Sequence, residues 1–268
     1  MIENEKLCRI VAASLKKTCR ELGIFYVFKA SFDKANRTSG KSFRGPGIEN
    51  GLQVLQKIRD EFDVPVLTDV HTEAQVSAAA QVVDILQIPA FLCRQTDLIE
   101  AAVATGKIVN LKKGQFLSPP EMGQVVKKAQ TFWNGKFQNP KLGSRTKNLP
   151  PATCNLKLLL TERGTTFGYN NLVADMRAIP VLKSFGFPVV FDATHSVQQP
   201  GGGGDSTTGQ REFASVLARA ALAVGANGLF IETHPKPDEA LSDGPNMIPL
   251  GEMKKVLGEL KKIYDAAK

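Results

Sequence analysis

Short apolar segments alternate with amphipathic helical segments along the whole chain, and this alternation limits the possible folds more than any other feature. The strand-like segments are apolar on both faces, which is typical of a parallel sheet covered by helices. Closed into a ring, such a sheet is a (β/α) barrel, and no GxGxxG motif follows the first strand to favour a doubly wound sheet. The seven predicted strands are residues 25–30, 65–70, 83–88, 108–111, 156–161, 188–192 and 228–232.

We therefore predict the α/β class, with a single barrel domain over residues 1–268. A complete (β/α)8 TIM barrel has eight strands and begins with one, whereas this chain begins with a predicted helix over 4–22 and lacks the first strand. Residues 134–155 precede a strand and are expected to form an insertion at the amino-terminal face of the barrel. Further helices are predicted over 49–62, 97–105, 180–185, 211–224 and 249–267, with capping boxes at Thr72/Gln75 and Ser118/Glu121.

Composition excludes several classes of protein. The net charge is +8, but the basic segments carry no interleaved aromatics, so anionic small molecules are expected rather than nucleic acid. The four cysteines show no CxxC spacing, which argues against a zinc knuckle and a disulfide framework. No apolar run is long enough for a membrane span and the first residues do not resemble a signal peptide. We expect a cytoplasmic protein without membrane contact.

The loop over residues 29–47 follows the first predicted strand and is strongly basic. It carries five lysines and arginines and one acid, together with serine, asparagine and threonine. Mobile ammonium groups, planar guanidinium groups and neutral hydrogen-bonding groups in one loop suit phosphate binding. A solvated surface loop is the alternative for such a charge run.

Polar residues follow the predicted strands at their carboxyl ends, where a barrel gathers its catalytic groups. We expect them to converge on one pocket, although any single histidine among them can also have a purely structural role. The set comprises Lys29, Asp69, His71, Gln87, Asn110, Lys112, Lys113, Glu162, Arg163, Asp192, His195, Glu232 and His234.

His195, Glu232 and Asp243 combine one imidazole with two carboxylates. This set suits one divalent ion such as iron, manganese or zinc, with room left for substrate or water. Pairing of the two acids with nearby lysines and arginines is the open alternative. The glycine-rich stretch 199–205 is interpreted as a flexible lid over the pocket, with a plain connector as the alternative.

Several long motifs resemble one enzyme family throughout nearly the whole chain. KASFDKANRTS, SFRGPG, TDVH, QIPAFLCRQTD, KKGQF, ERGTTFGYNNLVADMR, FDATHSVQ, GLFIETHP and SDGPNMIPL are similar to 3-deoxy-D-manno-octulosonate-8-phosphate synthases. The resemblance implies a homotetrameric barrel transferase that condenses phosphoenolpyruvate with arabinose 5-phosphate for lipopolysaccharide synthesis. Residues 134–155 lie outside the similarity.

The resemblance also implies roles for single residues. Lys29, Lys112 and Arg163 are expected around the carboxylate and phosphate of phosphoenolpyruvate, supported by Ser31 and Gln87. The sugar phosphate is expected at Asn36, Arg37 and Thr38, with Arg94 reaching in from a neighbouring subunit; the family often has serine where Thr38 stands. The expected catalytic residues are Lys34, Asp69, His71 and His195, and the expected metal positions are His195, Glu232 and Asp243.

One departure from the family leaves the metal class open. Family members normally begin with a strand ending in Gly-Pro-Cys or Gly-Pro-Asn, and the cysteine is the fourth metal ligand of the metal-dependent branch. This chain starts just past that turn, at Met1-Ile2-Glu3, so a metal-independent form stays possible. The segment Ser242-Asp243-Gly244 resembles the metal-dependent branch. We hypothesise that Met1 is a truncated or wrongly chosen start, because an open barrel leaves strand edges unpaired.

Other functions stay open at this point. A sibling synthase would use another aldose, a class I aldolase would need a Schiff-base lysine, and an inactive phosphosugar-binding remnant is compatible with the missing strand. The motif KANRTS favours the arabinose enzyme.

Overall fold

Strands and helices alternate in the computed structural model, which describes residues 1–133, 157–202 and 207–268. The principal strands in these ranges are β1 Phe28–Lys29, β2 Val66–Asp69, β3 Ile85–Ile88, β4 Ile108–Lys112, β5 Leu158–Glu162, β6 Val189–Asp192 and β7 Gly228–Phe230. The α-helices are α1 Glu5–Glu21, α2 Ile48–Phe62, α3 Glu73–Ala80, α4 Thr96–Ala104, α5 Met122–Trp133, α6 Ala178–Lys183, α7 Ala214–Ala223 and α8 Met253–Ala266.

The seven principal strands of the described part form one parallel sheet in chain order, from β1 to β7. The sheet is strongly curled, as contacts between distant strands show. Lys29 on β1 and Lys112 on β4 both lie over the ring of Phe230 on β7, at 5.4 and 4.7 Å from its centroid. No ladder joins β1 to β7 within the described ranges. Next to β1, the backbone N–H of Ile2 donates to the Ser31 carbonyl at 2.9 Å, and Ile2 is buried. The predicted seven-stranded barrel-type sheet is confirmed.

Because side chains alternate along the strands, one apolar layer lies inside the curled sheet and another lies outside it, and a polar layer lies at the carboxyl ends of the strands. Leu67, Ile85 and Ile108 form a cluster with Val27 and Leu159 inside the curled sheet. Their sequence neighbours face outward and pack against the helices in the main core. Because side chains alternate along a strand, the residues two and four positions after the inner cluster lie on the same inner face, nearer the carboxyl ends. That is where the polar residues stand.

Helix starts follow the predicted caps with one correction. Asn4 caps α1 by accepting from the Leu7 N–H, and Ser118 with Glu121 forms the predicted capping box. Thr72 caps α3 through the Gln75 N–H, but the Gln75 side chain accepts from the His71 N–H instead of completing a box. In the described ranges no helix has both the length and the apolarity to cross a bilayer.

The first strand is shorter than predicted. Only Phe28 and Lys29 of residues 25–30 form a ladder, and Phe25 is 43% exposed. The apolar run therefore reflects packing of Tyr26 and Phe28 rather than a long buried strand. At the two ends of the glycine-rich stretch, Gln198–Gln199 pairs antiparallel with Thr208–Gly209. The predicted insertion at residues 134–155 lies outside the described residues, and so does part of the predicted lid.

Candidate active site

Many of the predicted site residues lie on the inner face of the sheet, at the carboxyl ends of its strands. A first group joins β1 to β2. Lys29 Nζ donates to Ser31 Oγ at 2.8 Å and lies 3.2 Å from Asp69 Oδ1, while Ser31 Oγ donates to the same oxygen at 2.5 Å. His71 Nε2 lies 3.2 Å from Asp69 Oδ2. Burial alone would raise the pKa of Asp69, but Lys29, His71 and Lys34 hold it well below its usual value.

A second group joins β4, β6 and the turn after β6. Lys112 Nζ lies 2.5 Å from Asp192 Oδ2, and His195 Nδ1 lies 2.9 Å from the same atom. Asp192 Oδ1 also accepts from the His195 backbone N–H at 2.8 Å, so the carboxylate fixes both the backbone and the ring of His195. Burial favours the neutral form of Asp192, but His195 and Lys112 more than offset that effect and lower its pKa. Asp192 thus orients the other imidazole nitrogen, Nε2, towards Glu232.

The guanidinium of Arg163 is the most exceptional buried group of the site. It is 3% exposed, and only its Nη2 has a hydrogen-bond partner, Gln198 Oε1 at 2.6 Å. Nε and Nη1 are buried without partners within the described ranges. Burial lowers the pKa of Arg163, and Asp192, Glu162 and Asp243 oppose that effect. Two unpartnered nitrogens on a buried guanidinium are suited to an anionic ligand, since an oxyanion would accept hydrogen bonds from both.

His195, Glu232 and Asp243 form the predicted trio. One ligand atom from each lies within 4.8 Å of the other two, and the side chains are 11%, 9% and 12% exposed. Glu232 Oε2 is buried without a hydrogen-bond partner in the described part, 3.7 Å from His195 Nε2. A divalent ion would satisfy this orphaned oxygen, so the donor set fits the predicted metal.

Lys34 is the counter-charge of this trio. Its Nζ donates to Asp243 Oδ2 at 2.9 Å and lies 3.7 Å from Glu232 Oε1. Burial lowers the pKa of Lys34, but Asp243 and Glu232 more than offset it and raise the pKa above its usual value. Asp243 also accepts from Gln198 Nε2 at 3.1 Å. The alternative expected for the two acids, pairing with a nearby lysine, is thus present in the structure, while their role as metal ligands stays a prediction.

The amide of Gln87 closes the floor of the site. Its Oε1 accepts from Asn110 Nδ2 at 3.0 Å, and Asn110 Oδ1 accepts from Thr161 Oγ1 at 2.7 Å. All three residues are buried. This chain of hydrogen bonds ties β3, β4 and β5 together beneath the cations.

The predicted sugar-phosphate residues lie in the loop after β1. Asn36 and Thr38 are exposed. Arg37 donates to the carbonyls of Phe43 and Leu241 at 3.1 and 3.3 Å, so it bridges this loop to the segment before Asp243. Arg94 is exposed, and no contact within the described chain joins its side chain to the other predicted residues. The single chain thus brings together most of the predicted site, but not Arg94.

The chain matches the DAHP synthetase I family over residues 1–268. The chain belongs to this family. Proteins named 2-dehydro-3-deoxyphosphooctonate aldolase are similar along their length: that of Paracidovorax citrulli is 56% identical over 268 residues, which cover 100% of this chain and 89% of the relative. Those of Acidithiobacillus ferrooxidans and a Cyanothece species are 54% and 52% identical, covering 100% and 99% of this chain and 88% and 90% of the relatives.

Three members of the predicted polar set make their contacts elsewhere in this family member: Lys113 and Glu162 pair on the outer side of the sheet, and His234 contacts the turn that follows it. Lys113 is fully buried and faces the opposite side of the sheet from Lys112, where it contacts loop carbonyls. His234 Nδ1 contacts the Lys236 carbonyl and its Nε2 lies 3.8 Å from Glu3 Oε2. Within the described ranges no hydrogen bond or ion pair joins His234 to the two other histidines, so a shared pocket for all three stays a prediction.

Three residues organise the site although the sequence motifs assign them no specific role. Asp192 belongs to the predicted polar set without such a role, but its spacing three residues before His195 is a usable signal for a turn in which a carboxylate binds the following imidazole. Gln198 bridges Arg163 and Asp243, and nothing in its local sequence indicates this. Phe230 supplies an aromatic face for two lysines, but in the sequence it is only one more apolar residue of a strand.

Proposed function

We propose that this chain condenses phosphoenolpyruvate with D-arabinose 5-phosphate and water, giving 3-deoxy-D-manno-octulosonate 8-phosphate and inorganic phosphate for lipopolysaccharide synthesis. The observation that carries the proposal is the buried Arg163 guanidinium, two of whose nitrogens have no partner in the described ranges, on the same inner face as Lys112 and Lys29. The names of the relatives support the same reaction.

Phosphoenolpyruvate is assigned to the three cations. Lys29, Lys112 and Arg163 offer donors for its carboxylate and phosphate, with Ser31 and Gln87 as neutral support. Lys29 and Lys112 lie over one aromatic ring, which keeps the two ammonium groups together despite their like charge. Burial lowers the pKa of Lys112, and the charges of Arg163 and Lys29 lower it further. Asp192 raises this pKa but offsets those effects only in part. A dianionic ligand would relieve this repulsion.

Arabinose 5-phosphate is assigned to the loop after β1. Lys34 would lie between the two substrates, and Asn36, Arg37 and Thr38 would bind the sugar phosphate. We further propose a homotetramer in which Arg94 completes the phosphate site of a neighbouring subunit. The exposure of Arg94 in the single chain is compatible with this role.

The chemistry follows from charge placement. Carbon 3 of the enol phosphate forms a bond to the aldehyde carbon, the aldehyde oxygen takes up a proton, and water adds its oxygen at carbon 2. The resulting hemiketal phosphate then loses inorganic phosphate. Lys34, Asp69, His71 and His195 are the proposed proton-handling and charge-stabilising groups at these atoms. No Schiff base is needed, because the enol phosphate is already nucleophilic.

We propose that His195, Glu232 and Asp243 hold one divalent ion, iron, manganese or zinc. Such an ion supplies Lewis-acid stabilisation of negative charge on oxygen when bound. A metal-independent form is the alternative, in which Lys34 and His195 offset the two carboxylates. The predicted cytoplasmic location stays a prediction.

Phosphate release with phosphoenolpyruvate and a panel of aldehydes tests the proposal. Arabinose 5-phosphate is expected to be turned over, with erythrose 4-phosphate and a sialic-acid precursor at least about 100-fold less efficient, because a missing or misplaced polar contact in a built site is discriminated strongly. Preference for another aldehyde would support the sibling synthase. Borohydride trapping of a lysine adduct would support a class I aldolase, and binding without turnover would support a remnant.

A further inference from the structure

Lys113 and Glu162 form an ion pair on the outer side of the sheet, directly behind the candidate active site. Lys113 Nζ lies 3.6 Å from Glu162 Oε1, and both side chains are almost fully buried. Each is next in the chain to a residue proposed to bind substrate: Lys113 follows Lys112, and Glu162 precedes Arg163. Strand alternation turns the pair outward and the two cations inward.

Lys113 connects the loop after β4 with the loop after β5. On the first loop its ammonium donates to the carbonyls of Gly114 and Leu117, at 3.2 and 3.1 Å. On the second loop it donates to the Gly164 carbonyl at 3.1 Å and to Thr165 Oγ1 at 3.0 Å. All donors of the ammonium are therefore used within the protein, and none is left for a ligand.

Glu162 holds the backbone at the other substrate cation. Its Oε1 accepts from the N–H groups of Arg163 at 3.1 Å and Gly164 at 2.6 Å. Burial raises the pKa of Glu162 and burial lowers the pKa of Lys113, and each charge opposes the shift of the other. Neither group is therefore easily accommodated as a charge without its partner.

We propose that Lys113 and Glu162 are positioning residues for the phosphoenolpyruvate half of the site, setting the separation of Lys112 from Arg163 by tying the two loops together. This inference rests on the proposed function. The two inner cations repel each other across the pocket, and the outer pair supplies the fixed bridge between the chain segments that carry them. A small shift in either loop changes the fit to a dianion more than it changes the distant sugar-phosphate loop.

The test compares Lys113→Met with Lys107→Met. Lys107 precedes the first residue of the same strand, β4, and is half-buried, so the control makes the same substitution at the opposite end. Phosphoenolpyruvate binding is measured by calorimetry, and KM for each substrate by phosphate release. We expect Lys113→Met to weaken phosphoenolpyruvate binding and raise its KM at least about tenfold, with KM for arabinose 5-phosphate changed less than about twofold. Lys107→Met is expected to match the unmodified protein.

Milder variants keep the test decisive if Lys113→Met does not fold. Thr165→Val removes one contact of the ammonium, and Glu162→Gln keeps an acceptor for the Arg163 and Gly164 N–H groups that Glu162→Ala removes. We expect Thr165→Val to raise the KM for phosphoenolpyruvate selectively, and Gln to recover most of the affinity that Ala loses. An active unmodified protein whose folded variants bind phosphoenolpyruvate normally, or lose both substrates equally, would overturn the inference alone. An unmodified protein that neither binds phosphoenolpyruvate nor releases phosphate would overturn the proposed function first.

Discussion

Lys34 Nζ lies 2.9 Å from Asp243 Oδ2, and this contact joins residues 209 positions apart in the chain. Asp243 reaches it from a left-handed backbone conformation, φ 56°, which is uncommon for a residue with a side chain. The strain is compatible with a functional role, since such conformations persist where the surroundings enforce them. Lys34 and the proposed ion would compete for the same carboxylates, because the oxygens that Lys34 contacts belong to the proposed ion ligands.

Added divalent ion is expected to stabilise the protein. At a free concentration of Mn²⁺ or Zn²⁺ about 100 times its Kd, binding contributes about 2.7 kcal/mol, or roughly 5–10 °C in Tm. Asp243→Asn should abolish most of this shift, because it weakens one ligand. Asp175→Asn is the control, since among the described residues the partner of Asp175 is the exposed Arg177. A Tm shift that survives in Asp243→Asn would place the ion elsewhere.

The planar fork of Arg163 is expected to matter beyond its charge. Arg163→Lys keeps a cation but loses the geometry that leaves Nε and Nη1 available while Nη2 binds Gln198. We expect KM for phosphoenolpyruvate to rise about 10- to 100-fold, equivalent to about 1.4–2.8 kcal/mol. Arg177→Lys, at an exposed pair, should change KM less than about twofold. Equal effects of the two substitutions would contradict the assignment.

Acid is expected to destabilise the fold through Asp192. Its pKa is lowered in the folded state, so the unfolded chain binds the proton more readily, and the stabilisation present above about pH 4 is lost as the pH falls towards the folded pKa. In urea unfolding, the free energy of unfolding should rise between about pH 3 and pH 4. Asp192→Asn should flatten that slope by up to about 1.4 kcal/mol per pH unit. An unchanged slope would show that Asp192 is not the responsible group.

Two helical glycines are expected to respond oppositely to alanine. A Cβ on Gly51 in α2 would lie 2.3 Å from the Phe32 Cβ, and Phe32 is fully buried within the basic loop. Gly51→Ala should therefore destabilise by about 1–3 kcal/mol despite the better helix propensity of alanine. Gly258→Ala in α8, where the nearest atom is Leu22 Cδ2 at 4.0 Å, should stabilise by up to about 1 kcal/mol. Urea unfolding of both variants measures the difference.

Arg94 is expected to act in a neighbouring subunit. Arg94→Ala and Lys112→Met should each be nearly inactive, and mixing them under subunit exchange should restore part of the activity, because some sites then combine an intact Lys112 with an intact Arg94. Size-exclusion chromatography of the single variants checks that both assemble as the unmodified protein does. If Arg94 acts within its own chain, the mixture stays as inactive as its components.

Local patterns in the sequence were sufficient to predict the helices and strands and to place the site at the carboxyl ends of the strands. The caps at Asn4 and Ser118 specify helix starts by short-range hydrogen bonds, and polar residues after apolar strands indicate the carboxyl-end rim. The orientation of Lys112 and Lys113 was not readable in this way. A strand that is buried on both faces has apolar residues on both, so its sequence pattern does not distinguish the inward face from the outward face. The sequence therefore does not show which of two consecutive lysines faces inward.

By itself the sequence determined the alternating parallel architecture, the basic loop after β1 and the membership of the trio His195, Glu232 and Asp243. The tertiary structure alone decided that Lys34 lies among that trio, that Asp192 orients His195, and that Gln198 joins Arg163 to Asp243. The physical reason is the separation along the chain over which each kind of interaction acts. Propensities, caps and strand alternation act over a few residues, whereas these contacts depend on how far the sheet curls to bring its first and last strands together.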